Sequence, residues 1–84
     1  MSEQKRPEWA KEFEGWRMRY DTWGPRVFRT VEPLGFEFEV EKDGFLHMGR
    51  TLSKFSFRFP SPEAALRVAN AIAKELGGWP GEEA

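Results

Sequence analysis

The single histidine and the glutamates near it are the residues of this chain whose types could support catalysis or metal binding. The chain has no cysteine and only His47, so an ordinary zinc ligand set cannot be assembled from it. Glu37, Glu39 and Glu41 alternate along one segment and could in principle hold a cation, but such rows are far more often solvated strand surface. No catalytic Ser/His/Asp order or phosphate loop is visible. We therefore predict no metal, no cofactor and no catalytic residue, and expect a protein that is not an enzyme.

A second group of residues, arginines interleaved with aromatic rings, suggests nucleic-acid binding. Its members are Trp16, Arg17, Arg19, Tyr20, Arg26, Arg50, Lys54 and Arg58. Rings of this kind stack on bases while cations hold the phosphates of a single strand. The opposing interpretation is a ladder of ion pairs, because residues 32–43 carry five acids against one lysine. Sequential strands are neighbours in about two-thirds of cases, which favours the ion pairs by roughly two to one.

The four tryptophans are candidate interface anchors, because exposed tryptophan is common at binding hot spots. For Trp9 and Trp16 we expect instead that the rings fold back on the sheet and close the core. Trp79 lies between a glycine and a proline, where nothing local obliges it to be buried. We therefore predict that Trp79, with Trp23 as a second candidate, contacts a partner protein.

The elements that must position these residues are clearest between residues 53 and 76. Apolar residues there first alternate with polar ones, which is typical of a strand with one buried face. These residues are Phe55, Phe57 and Phe59. Ser61 and Pro62 then fit the N-cap and first position of a helix, which Gly77 ends. The helix carries a stripe of small apolar residues. We predict that this helix packs against the sheet that carries the three phenylalanines, and that the two form the core.

The remaining segments predict a short helix and further strands. Residues 7–14 indicate the helix, which begins at a proline and stops before a glycine. Residues 16–20 and 36–41 alternate and indicate strands, and residues 26–31 indicate another whose buried face the pattern leaves open. Between residues 49 and 54 we expect a bend or bulge, because the apolar alternation changes phase there.

The loop that follows Glu41 decides which side chains share a face. A two-residue loop would pair Val40 with His47, whereas a three-residue loop at residues 42–44 pairs Val40 with Leu46. Only the longer loop keeps nearly all the apolar residues on one side, and it places a glycine where a left-handed residue is needed. We predict the three-residue loop, which sets His47 opposite Glu39.

Length and composition restrict the class of protein. The 84 residues predict a disordered N-terminus at residues 1–6, one domain at 7–77 and a flexible tail at 78–84. The chain lacks cysteine, an apolar span and a signal-peptide segment, so we expect a cytoplasmic protein without membrane contact. Its high charge content leans toward a thermophilic source. A net charge of −1 gives no general affinity for nucleic acid.

Residues 54–76 are similar to the strand-then-helix unit of several small α+β families, including the pterin carbinolamine dehydratases. In those enzymes an F-x-F strand runs into an alanine-rich helix, and a His-His-Pro motif follows. This chain has Gly78, Trp79 and Pro80 at the corresponding place, so the resemblance does not extend to the activity. The strand order also resembles DNA-binding sheet modules and single-strand-binding transcription coactivators. We assign the chain to none of these families.

The predicted fold is α+β: an antiparallel sheet of four to five strands, a C-terminal helix on one face and a short N-terminal helix. The predicted function is that of a small non-catalytic interaction module, which docks on a larger protein assembly and could regulate it. The alternative is a protein that binds single-stranded DNA or RNA. The protein partner is not identified by the sequence. An exposed edge strand could also pair with a second copy and make a homodimer.

Overall fold

The structure, a computed structural model, describes residues 7–13, 15–22 and 24–77, and these form one antiparallel sheet, one α-helix and one 3-10 turn. The strands are β1 Arg17–Asp21, β2 Gly24–Val31, β3 Phe36–Glu41, β4 Phe45–Arg50 and β5 Ser53–Arg58. They are followed by α1, Pro62–Glu75. The strand order in the sheet follows the chain, from β1 to β5. The predicted α+β fold is therefore confirmed, with five strands.

The register of the sheet separates an apolar face, which carries α1, from a charged face. The central apolar row crosses all five strands and consists of Met18, Val27, Val40, Leu46 and Phe57. Val40 pairs with Leu46 across the loop of residues 42–44, as predicted, and His47 lies opposite Glu39. In β2 the buried residues are Val27, Arg29 and Val31, whereas Phe28 has the opposite phase and lies on the charged face.

The connection between β4 and β5 is a tight hairpin rather than the predicted bend or bulge. Pairing continues from Leu46 with Phe57 to Arg50 with Ser53, so residues 51–52 alone form the turn. A two-residue turn pairs an even-numbered residue with an odd-numbered one. The change of phase along the chain is therefore what this hairpin requires, and it needs no extra residue in either strand.

The helix begins and ends where the sequence predicts. The Ser61 hydroxyl accepts a hydrogen bond from the Ala64 amide at 3.1 Å, and Pro62 occupies the first turn. At the other end, the Gly77 amide donates to the Lys74 carbonyl at 2.9 Å. The buried residues of α1 are Ala65, Leu66, Ala69 and Ala73. Such small side chains let the helix lie close to the sheet.

The N-terminal segment covers the β1–β2 side of the core. Trp16 is buried, packs edge-to-face on Phe38 at 6.2 Å and donates its ring N–H to Asn70 of α1 at 3.2 Å. Trp9 packs against the core and is partly buried, so both tryptophans close the core as predicted. The predicted helix at residues 7–14 is only a 3-10 turn, Glu8–Ala10. A segment this short forms too few bonds to repay helix nucleation.

The helix packs on one face of the sheet as predicted, but two of the three phenylalanines at residues 55–59 do not lie under it. α1 contacts β3, β4 and the 3-10 turn. A helix about 10–12 Å wide covers only about two strands, since strands are about 4.8 Å apart. The position over the middle of the sheet leaves β5 uncovered, with Phe55 63% and Phe57 46% exposed. Only Phe59 of the three packs against the core.

Candidate functional site

Four exposed apolar side chains surround the last strand of the sheet and form what we call the β5 patch. They are Leu52, Phe55, Phe57 and Val68. Leu52 is 96% exposed at the tip of the β4–β5 turn, and Val68 is 38% exposed on α1. Single exposed apolar residues are ordinary, but a cluster on a small protein marks an interaction surface. The β5 patch is therefore the candidate functional site.

The helix places Val68 beside β5 rather than on the far side of the fold. Asn70 contacts Trp16, which lies on the β1 side of the core. Residues two apart in a helix are separated by roughly 160° around its axis, so Val68 lies on the flank opposite Asn70. Since α1 lies over β3 and β4, we infer that this flank is directed toward β5. The β5 patch thus has the strand as its floor and the helix flank as its wall.

The outer edge of β5 offers backbone hydrogen bonds as well as apolar surface. The Phe59 amide donates to the Gly44 carbonyl at 2.9 Å, and the same register runs through the whole hairpin. In an antiparallel pair the residues whose backbone groups face the neighbour alternate. The backbone N–H and C=O groups of Lys54, Ser56 and Arg58 therefore point away from β4, toward the open edge.

The charged face of the sheet is a network of cross-strand ion pairs. Glu39 accepts from Arg26 at 3.0 Å and from Arg19 at 3.2 Å. Arg26 also reaches Glu41 at 3.3 Å. At the other end of the face, Lys54 lies 2.8 Å from Glu37. The glutamates of β3 thus pair with Arg26 of β2, Arg19 of β1 and Lys54 of β5, as the ion-pair interpretation predicts for these three cations.

Replacing Glu39 with glutamine is expected to lower the free energy of unfolding by about 1–2 kcal/mol, because two charge-assisted hydrogen bonds weaken at a largely buried carboxylate. The Glu39 side chain is 12% exposed and that of its partner Arg26 is 16% exposed. Urea denaturation measures the loss. The matched control is Glu37→Gln, whose side chain is 39% exposed and which should cost less than about 0.5 kcal/mol. Equal losses in the two variants would show that burial does not increase the contribution of the Glu39 ion pairs to the free energy of unfolding.

The residues predicted to bind nucleic acid are divided between the two faces. On the charged face lie Arg17, Arg19, Arg26, Lys54 and Arg58. Trp16 and Tyr20 are in phase with Met18 on the α1 side, and Arg50 is in phase with Leu46. Trp16 is also buried, so its ring is not available to stack on a base. The structure does not bring the predicted rings and cations together.

Two aromatic residues that the sequence analysis did not single out lie on the charged face. The Arg19 guanidinium covers Phe28 at 4.3 Å, and that of Arg58 lies 5.1 Å from the centre of the Phe45 ring. Phe45 also stacks on His47, at 5.8 Å and 10°. Arg29, by contrast, is buried on the α1 side, 5.8 Å from the Trp16 ring. Which face of the sheet these residues occupy follows only from the strand register, which the sequence pattern of β2 left open.

His47 connects a serine and a glutamate across three strands. Its Nδ1 lies 2.7 Å from Ser56 Oγ, and its Nε2 lies 2.8 Å from Glu41 Oε2. A neutral imidazole can accept from the serine and donate to the carboxylate. A catalytic triad uses the same order of groups, but it also needs a concave site with oxyanion donors. This row lies on the charged face of the sheet with Ser56 exposed, and its two contacts link β3, β4 and β5.

Other expectations concern metals, membranes and the two tryptophans predicted to bind a partner. Among the described residues, no cluster of three or more His, Cys, Asp or Glu side chains is arranged to hold a metal ion. In that same part of the chain, no helix has the length and apolar character needed to cross a membrane.

Trp23, Trp79 and the two predicted terminal segments lie outside the described residues. Comparison of the chain with protein-family models, curated proteins and solved structures gives no match.

Proposed function

We propose that this protein is a small, non-catalytic interaction module that docks on a larger protein assembly through the β5 patch. The observation that carries the proposal is the contrast within one sheet face. Phe38 and Leu46 are fully buried under α1, while Phe55 and Phe57, their neighbours in the same rows, remain open. A partner that covers these rings would complete the core of the sheet.

The energies involved favour the β5 patch over the charged face as a docking surface. Burying each large apolar side chain contributes about 1.5–3 kcal/mol, so the four residues of the patch offer several kcal/mol to a partner. On the charged face a partner would have to break or desolvate the ion pair that joins Arg26 and Glu39. Association itself costs at least about 4 kcal/mol, which only the apolar surface can offset.

The same ion pairs weigh against the nucleic-acid alternative. Phosphates would have to displace Glu39 from Arg19 and Arg26, and Glu37 from Lys54. Binding to single strands also depends on exposed rings. On the charged face the two large rings, Phe28 and Phe45, are each covered by an arginine. These contacts favour the docking function over binding of single-stranded nucleic acid.

Photo-crosslinking in the cells that make this protein tests the proposal. The probe p-benzoylphenylalanine replaces Phe55 or Phe57 in turn, and the control probe replaces Arg17, which is exposed on the opposite edge strand. We expect adducts with a second protein from the two β5 positions and not from position 17. Adducts that form equally at all three positions, or at none, would refute docking at the β5 patch. A Trp79→Ala change in the Phe57 probe protein measures how much the tail adds.

A further inference from the structure

We infer that the partner segment is an extended strand that adds antiparallel to the edge of β5, with acidic residues on one face and apolar residues on the other. This inference rests on the proposed docking function and specifies the chemistry of the partner. It follows from three features of the described residues: the direction of the backbone groups of β5, the division of its side chains between two faces, and the distribution of charge around it.

The backbone supplies the first reason. Because Lys54, Ser56 and Arg58 direct their backbone groups outward, an added antiparallel strand can exchange two hydrogen bonds with each of them. Pairing of this kind gives affinity without regard to sequence, and the alternating side chains give specificity. A loop or a helix that covered the β5 patch would leave these backbone groups to water.

The side chains of β5 specify what the added strand must carry. Residues opposite Phe55 and Phe57 would lie on the α1 side, next to Val68, and must be apolar to complete the patch. Residues opposite Lys54 and Arg58 would lie on the charged face. The added strand must therefore alternate, and the sign of its charged residues depends on those two cations.

The charge around β5 is positive and only partly neutralised. Residues 44–62 contain no acid. Lys54 has Glu37 as a partner, but Arg58 has only the face of the Phe45 ring and no ion pair with another described residue. A carboxylate placed opposite Arg58 would gain a cross-strand pair, whereas a lysine there would be repelled. The partner strand is therefore acidic.

The same charges argue against a second copy of this chain as the partner. In a two-fold antiparallel pairing of β5 with itself, the register that sets Phe55 opposite the Phe57 of the other copy also sets Lys54 opposite its Arg58. This like-charge contact occurs twice in the dimer, and like charges directly opposite each other are destabilising. Charged edge residues are a common way in which sheets avoid self-pairing. The homodimer predicted as a possibility is thus disfavoured in this register.

Binding of two matched peptides to the full chain tests the inference. The acidic probe is fluorescein-labelled GVEFEVEVG, and the basic probe is GVKFKVKVG. We expect the acidic probe to bind at least about tenfold more tightly, as two reversed cross-strand charge contacts imply. Arg58→Glu should remove or reverse this preference. Ser56→Pro should weaken the acidic probe at least about tenfold, because it deletes an outward N–H while the backbone hydrogen bonds to β4 remain.

Circular dichroism and the thermal midpoint check that the Ser56→Pro variant is folded. If that variant is unfolded, the double variant Phe55→Ser, Phe57→Ser is tested in its place. Equal affinity for the two probes, or binding that neither edge variant weakens, would overturn the inference. If Phe57 crosslinks a protein but neither probe binds, the docking function stands and the acidic strand is refuted. If there are neither crosslinks nor probe binding, both proposals fail.

Two other occupants of the edge would give distinct results. Analytical ultracentrifugation that shows a dimer lost in Ser56→Pro would assign the edge to a second copy and overturn the inference. If the Trp79→Ala variant binds the acidic probe and the parent chain does not, the edge is assigned to the segment of this chain that contains Trp79. That result would also overturn the inference. The acidic partner strand is supported if the protein is a monomer and if Trp79→Ala leaves its affinity for the acidic probe unchanged.

Discussion

Replacing Phe38 with alanine is expected to lower the free energy of unfolding by about 3–5 kcal/mol, which is a large part of the stability of a domain this small. Phe38 is fully buried in the central strand, where Trp16 packs on its edge and Phe36 lies 5.2 Å away. The cavity left by the ring would lie between the sheet and α1, and the small alanine side chains of the helix cannot fill it. Urea denaturation of the two proteins gives the difference.

Phe55→Ala is the matched control for this prediction. Phe55 is in the same cross-strand row as Phe38, two strands further along, and lies on the same face of the sheet. Because most of its surface is already in water, its removal should cost less than about 1 kcal/mol. A Phe55→Ala loss as large as that of Phe38→Ala would mean that something covers Phe55, and the β5 patch would not be a free surface.

Gly44→Ala should produce the second large effect, a loss of about 2–4 kcal/mol. Gly44 has φ +96°, which disfavours any side chain, and a Cβ there would collide with the backbone carbonyl of Phe59. The loop residue lies directly against the corner between β5 and α1, where the Phe59 amide bonds to its carbonyl. Chemical denaturation, read by tryptophan fluorescence, measures the loss.

The control for Gly44 is Gly35→Ala in the turn between β2 and β3. Gly35 also has a positive φ, +69°, but a Cβ there would meet no atom within 4 Å. Its substitution should cost only the conformational term, about 1 kcal/mol. If Gly35→Ala is as damaging as Gly44→Ala, the close approach of the loop to β5 contributes nothing to the fold.

The register of the β3–β4 hairpin could be predicted because two independent constraints agree there. Between β3 and β4, the apolar phase and the need for a left-handed residue both require a loop of residues 42–44. The same is true of the helix, where Ser61 and Pro62 specify the start through cap chemistry that is entirely local. Local rules of this kind are visible in a single sequence.

The position of the helix over the sheet could not be predicted in this way. The alternation of Phe55 and Phe57 shows that one face of β5 is apolar, but it does not show what covers that face. The answer depends on the width of one helix relative to five strands, and on Trp16 and the 3-10 turn filling the β1–β2 side. These are contacts between elements far apart in the chain, and no local pattern encodes them.

The candidate site was predicted only in part for the same reason. The ion-pair interpretation, which rests on strands of opposite charge lying close together, is confirmed for Arg19, Arg26 and Lys54. The β5 patch was not predicted, because Phe55 and Phe57 were expected to lie in the core. The contact of Ser56 with His47 depends on the β4–β5 register, which the expected bulge would have changed. Docking through Trp79 and Trp23 stays a prediction.

The order of the strands has a consequence for how the protein meets a partner. Each described strand pairs only with its neighbours in the chain, and among the described residues no sheet pair is further apart in sequence than Arg26 and Glu41. Chains dominated by such short loop closures fold quickly, and here every closure is internal to one chain. The sheet can therefore form without a second chain. Under the proposed docking function, the entropy of ordering would then be lost mainly by the incoming strand.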